Sequence, residues 1–563
     1  MSELRLVPAA LAVWAATLAG IVWGTWASLV AVAVVVAVSV VCAVLIVPRA
    51  EGPAPGRGAG QAMLVGGLGC AASAVTAVRM ATAKAWEFGS EVTGTVSGQP
   101  TPTTGAGGGF LLRLSVSGHP GSIPVFVRSV PDGVEAGAAV RVAGSVAEST
   151  RPGTAQVVIN GEVTAIGPPT GVAAWSNHVK DVFAESVART VGERSQGLIP
   201  GMVLGDTSLQ TPAEQQAYIH TGLSHLSAVS GANVAIVTTA AAVLASAVGL
   251  GLRGRVACAV VALTVFASLV GPEPSVLRAS VTGLVGLTAV LASSVAEPVH
   301  ALSLAVIGLV LVDSNLAVSY GFALSVAATA GIVALSPLLF RALAPMGWPD
   351  IVVRALSVAI AADVVTMPLV AAMAGEVSVV SVAANLLVAP VTAPVTVLGL
   401  VAVVLALGPG GLETPLLWVI EPLTAWIHLV AQVGAALPGA TAHASPLTVV
   451  VCYGWVLAGF VLGRPRATVA AVSAVAVVGV VVGASAPWVR PVDVTGLHAH
   501  VVTRERDIDP VPANAQVVVV LEEGRPHARP VETADGLPVL YPNRDGDVRL
   551  YPDGTQRAAS GAF

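Results

Sequence analysis

The chain has 563 residues, of which 55% are hydrophobic and about 10% carry a formal charge, for a net charge of −5. Soluble domains carry roughly 25% charged residues, so this composition, with a mean hydropathy of +0.82, excludes a water-soluble globule. The apolar content excludes a disordered chain too, and the negative net charge leaves no global basic field to attract nucleic acid; a multi-spanning helical membrane protein remains.

Apolar runs of about 20 residues read as spanning helices. The first three are Leu6–Trp23, Ser28–Val47 and Gln61–Ala83. Arg5 ahead of the first run also fits a signal peptide, but a second run follows at once, which favours a retained span. From Trp86 to Gly167 the pattern changes to short alternating runs broken by Gly and Pro. Five read as strands: Ser90–Ser97, Gly109–Ser117, Ser122–Arg128, Ala139–Val146 and Ala155–Ile166. Turn residues such as Pro131-Asp132-Gly133 and Arg151-Pro152-Gly153 separate them. Five short strands suggest a small barrel such as an OB-fold. Such barrels bind single-stranded nucleic acid on aromatic platforms; Phe110 and Phe126 are the candidates, and both read more readily as core.

Trp175 to Gln196 reads as an amphipathic helix, with Asn177, Lys180, Asp181, Glu185 and Arg189 at near-helical spacing, suited to a membrane interface. Leu223 to Ala486 is nearly continuous membrane segment, with 15 charged residues in 264 positions. Expected spans are Val234–Leu250, Val256–Val270, Ser275–Ser293, Val295–Val312, Ser319–Phe340, Ala355–Gly375, Val377–Leu407, Pro415–Leu437, Leu447–Leu462 and Ala467–Ser485. The Arg-bearing loops (Arg49/Arg57, Arg253/Arg255, Arg341/Arg354, Arg464/Arg466) belong in the cytoplasm by the positive-inside rule. An even number of spans between successive loops results if Val377–Leu407, which contains Pro390 and Pro394, crosses once as a broken helix. The fold class is therefore a mainly α polytopic membrane protein of about 10–13 spans with a small extracytoplasmic all-β OB-like domain. The N-terminus is expected in the cytoplasm and the C-terminal tail outside. The expected organisation is N-terminal helices (1–85), OB-like domain (86–170), amphipathic linker region (171–222), main membrane domain (223–486) and a polar tail (487–563) with strands near Gln516–Leu521 and Val548–Tyr551. Cys42, Cys70, Cys258 and Cys452 lie in apolar runs and read as small packing residues, with no disulfide framework or metal spacing.

Polar residues are densest at Gly205-Asp206-Thr207 and from Thr221 to Val234, where the main membrane region begins. Ser, His and Asn at membrane depth need partners or water, and irregular backbone there must be buried in protein or line a cavity. Gly222 and Gly231 permit such a break. Helix packing through small residues and lining of a path both remain open. His225 and Ser230 are five apart, a poor helical pairing for a base and a nucleophile, and no nucleophile-elbow motif surrounds them. Arg278 and Asp363 fall inside predicted spans, where they either pair with each other or line a water-filled path. A planar guanidinium suits phosphate oxygens. Glu421 and Asp313 lie near span ends and read as interfacial. His498-Ala499-His500 alone is a weak metal signal, and no phosphate-cradling loop is present.

The order of these features resembles the ComEC family of competence proteins, inner-membrane channels for DNA uptake. The resemblance covers residues 1–485. It rests on Gly201-Met202-Val203-Leu204-Gly205-Asp206, the string from Gly222 to Val234, Pro274 to Ala279, Gly321-Phe322-Ala323-Leu324-Ser325, and Ala384-Asn385-Leu386-Leu387-Val388-Ala389-Pro390. Asn233 stands where the family usually has His, and Ala323 where Gln is common. The resemblance implies a pore passing one DNA strand inward, with a cytoplasmic ATP-driven translocase and an external DNA receptor as expected partners beside the lipid bilayer. Many members carry a C-terminal metallo-β-lactamase-like nuclease domain. Here Asp493-Val494-Thr495-Gly496 is at most a remnant of its start, and no His-x-His-x-Asp-His motif follows. The expectation is therefore a channel rather than an enzyme, with no cofactor and no metal. Its candidate path residues are Asp206, His225, Ser230, Gly231, Asn233, Arg278, Asp363 and Asn385. A small-solute transporter with broken helices and a non-transporting membrane scaffold or hydrolase are the alternatives.

Overall fold

The computed structural model describes residues 4–46, 57–89, 91–103, 109–292, 297–472, 474, 497–508, 511–512, 515–522, 531–533, 537–546, 548–550 and 556–558. The Arg49 loop, most of the last expected span (Ala467–Ser485) and the Asp493-Val494-Thr495 string lie outside these residues.

Three helices open the chain: α1 (Val7–Trp23), α2 (Thr25–Ile46) and α3 (Arg57–Lys84). Small residues let them approach closely, as lipid-embedded packing requires. A Cβ on Gly69 would come within 2.9 Å of Val32, and one on Gly20 within 3.1 Å of Thr76. At the same level the Ser28 and Ser73 hydroxyls bond each other at 2.7 Å.

The β domain follows: β1 (Glu91–Val96), the short β2 (Thr101–Pro102), β3 (Phe110–Ser115), β4 (Ile123–Val127), β5 (Ala139–Glu148) and β6 (Val157–Gly167). Its strands run β1-β5-β6-β4-β3, and β1 also pairs with β3, closing a small five-stranded OB-like barrel. All these pairings are antiparallel except β4 with β6. Alternation sets the core. Leu112, Leu114, Ile123, Val125, Val127, Val140 and Val142 point inward. Phe110 packs partly against them, but Phe126 is 40% exposed on the outer face, so it is not the core residue expected.

The rest of the chain is helical. α4 (Gly171–Thr190) buries Val179, Phe183 and Val187 against α5 (Glu193–Gln196), α6 (Leu198–Leu204) and later helices rather than lying on a surface alone. All seven residues of α6 are buried. Next come α7 (Pro212–His220), a 3₁₀ turn at Ser224–Ser227, α8 (Gly231–Ala247), α9 (Leu252–Val270), α10 (Pro274–Leu291), α11 (Pro298–Val312) and a 3₁₀ turn at Ser314–Val318. They lead to α12 (Tyr320–Leu343), α13 (Asp350–Ala374), strand β7 (Glu376–Ser378), α14 (Ser381–Ala406), α15 (Thr414–Ala435), strand β8 (Thr441–His443), paired with β7, and α16 (Pro446–Val461). Among the described residues eight helices are long and apolar enough to cross a membrane, and α1, α8, α11 and α16 are shorter apolar helices. α14 is one continuous helix although it contains Pro390 and Pro394. The expected break there is absent, because neighbouring helices can accommodate prolines inside a membrane bundle. Cys42, Cys70 and Cys452 are exposed rather than packed.

Side-chain hydrogen bonds tie the barrel to the helices. Asn315 Oδ1 accepts bonds from the Thr154 N–H and hydroxyl, both at 2.9 Å, at the tip of the β5–β6 hairpin. Asn177 on α4 donates to Ala136 O at 2.9 Å. Arg79 supports the first contact by donating to Ser314 Oγ and Val312 O, both at 2.7 Å. The tail forms a four-stranded sheet, β11 (Val531–Glu532), β12 (Pro538–Leu540), β10 (Val517–Val520) and β9 (Ala499–Val502) in that order.

Candidate functional site

The irregular backbone between α6 and α8 organises the expected path residues. α6 stops at Gly205, whose left-handed φ of 73° suits a residue without Cβ, and Gly205 N–H bonds back to Gly201 O. Asp206 then turns the chain by accepting from Ser208 N–H at 3.0 Å. Its carboxylate opposes the loss of solvation that lowers the Lys180 pKa. Lys180 in turn donates to Val270 O at 3.0 Å at the end of α9. Asp206 therefore belongs to a charged group with Lys180, Asp181 and Glu273. Thr211 and Glu214 form a reciprocal capping box that starts α7.

After α7, Gly222 takes a left-handed φ of 68°, and a Cβ there would fall 2.6 Å from Ser381 Oγ. His225 keeps accessible surface in the 3₁₀ turn. Its Nδ1 lies 3.1 Å from Gly222 O.

Around Gly231 four segments meet. Asn233 Nδ2 donates to Met202 O at 2.8 Å, satisfying a carbonyl in the last turn of α6. Ser230 Oγ donates to Asn233 Oδ1 at 2.9 Å. Ser275 on α10 donates to Val229 O at 2.7 Å. Arg278, one turn further along α10, is 9% exposed, and its Nε donates to Ser325 Oγ on α12 at 2.8 Å.

Around Gly222 lies the second buried charge. Asp363 on α13 is 6% exposed and accepts from Ser381 Oγ at 2.7 Å and from the Tyr453 hydroxyl. Asn385 donates to Ser381 O at 3.0 Å. The two intramembrane charges therefore do not pair with each other. They stand at opposite ends of the 222–231 segment, Asp363 behind Gly222 and Arg278 against Gly231. Ser381, Tyr453 and Ser325 were not among the expected site residues. Ser325 lies in the Gly321-Phe322-Ala323-Leu324-Ser325 string, but nothing in its apolar run marks Tyr453.

Among the described residues no cluster of three His, Cys, Asp or Glu side chains is placed to hold a metal ion.

These features define a multi-pass helical membrane protein with an OB-like barrel and a polar break inside its membrane domain. Residues 202–466 match the competence protein family, in keeping with the resemblance to ComEC. No curated protein and no solved structure matches the chain.

Proposed function

We propose that the chain forms a membrane path that passes single-stranded DNA inward during uptake, by passage rather than by chemistry. The observation that carries this reading is the 222–231 break, set between two buried, mutually unpaired charges inside the segment that matches the competence family. In this reading the OB-like domain stands outside the cell and receives the strand from an external receptor, with the exposed Phe126 offering a face for base stacking. His225, Ser230, Asn233 and Asn385 give the path neutral polar walls, and Arg278 contacts phosphates. The N-terminus lies in the cytoplasm, where an ATP-driven translocase supplies the force.

Deletion of the chain in a transformable host, with its partners intact, tests the reading: uptake of labelled DNA into a nuclease-protected state should be lost. Unchanged uptake would refute it. A small-solute transporter is the second reading, favoured by Asp363 on α13, a buried carboxylate that has no cationic partner among the described residues and is bound by Ser381 at the start of α14. Solute accumulation that follows Asp363→Asn, with DNA uptake intact, would select it.

A further inference from the structure

We infer that the N-terminus of α8 and the guanidinium fork of Arg278 together form a binding site for a phosphodiester monoanion, and that Gly231 is bare so that the two can meet. This deepens the strand-passage reading and rests on it.

The first N–H groups of a helix have no intrahelical acceptor and carry the positive end of its dipole. A serine at the N-cap usually satisfies one of them. Ser230 occupies that place in α8 but makes no capping bond; its hydroxyl donates to Asn233 Oδ1 instead. Among the described residues the Gly231 and Ala232 N–H groups have no acceptor. Gly231 is half-buried and Ala232 exposed, so this helix end is open.

Arg278 supplies an independent observation. It is nine-tenths buried, and Ser325 engages only its Nε. Among the described residues its two Nη groups have no acceptor and no carboxylate pairs with it. Nη2 lies 3.2 Å from the position a Gly231 Cβ would take. Gly231 has no left-handed φ, so space, not backbone conformation, explains the glycine. Arg278 and Ser325 ride near the N-terminal ends of α10 and α12, and in the last turn of α6, which also reaches this point, Asn233 already engages the Met202 carbonyl. A cation held against the positive end of α8 at membrane depth is repelled unless an anion lies between them. A phosphodiester fits: its two non-bridging oxygens can accept from the planar fork and from the helix N–H groups. A nucleic-acid strand and a lipid headgroup both present this group.

The test uses the full chain in a phosphate-free maltoside detergent. One arm measures binding of fluorescent oligo-dT; the other adds phosphatidylglycerol and counts retained lipid by native mass spectrometry. Arg278→Ala should weaken oligo-dT binding about 10- to 100-fold, the scale of a lost charge-assisted bond. Gly231→Ala, which keeps the guanidinium, should weaken it in the same direction and carries the test if Arg278→Ala does not fold. If only lipid retention falls, the anion site stands and the strand reading loses its phosphate contact. If neither arm responds to either variant, the site is refuted, whatever deletion does to DNA uptake.

Discussion

Arg278 and Asp363 show how differently two buried charges can be treated. An ion taken out of water costs several kcal/mol unless it is compensated. Asp363 is compensated by two hydroxyls, from Ser381 and Tyr453. Tyr453→Phe should therefore destabilise the chain by about 1.5–3 kcal/mol, read as a lower unfolding midpoint in nanodiscs; an unchanged midpoint would mean that the contact carries no stability. Both buried charges were legible in the sequence, because a charge in an apolar run stands out. Their partners were not: Ser325 and Tyr453 lie 47 and 90 residues away along the chain, and only packing brings them in.

At the scale of elements, alternation carried more information than composition. Phe126 lies between Val125 and Val127, whose side chains fill the barrel, so the period of two places it outside. Composition alone made it a core candidate. The barrel also needs two facing glycines. Gly144 and Gly161 are cross-strand partners, and a Cβ on either would come within 2.3 Å of the opposite backbone. In the membrane domain α14 packs on the fully buried α6, where a Gly399 Cβ would lie 2.3 Å from Val203 Cγ2. Gly399→Ala should cost about 1–3 kcal/mol through overpacking, again read from the unfolding midpoint, and no change would show that the helices separate freely. The prolines of α14 misled for a physical reason: they mark a break reliably in water but not inside a bundle that supplies other partners.

For the whole molecule, the barrel's existence and the many apolar helices were legible from local pattern, whereas their joint was not. Asn315 lies 161 residues from Thr154, in a turn with no distinguishing composition. Asn315→Ala leaves the Thr154 N–H without its acceptor, while the hydroxyl keeps Pro120 O at 3.1 Å, a loss of about 1–3 kcal/mol if the N–H stays buried. Hydrogen exchange at residues 149–156 and 314–318 should accelerate while the barrel strands stay protected; unchanged exchange would mean that the latch is not what holds the barrel. The central claim, that this assembly passes a single DNA strand, is tested most directly with the purified full chain in a planar bilayer, where voltage supplies the force. The account predicts that oligo-dT added to one side is recovered on the other, and that Arg278→Ala slows its passage. Passage of small anions with no oligonucleotide recovered would contradict it.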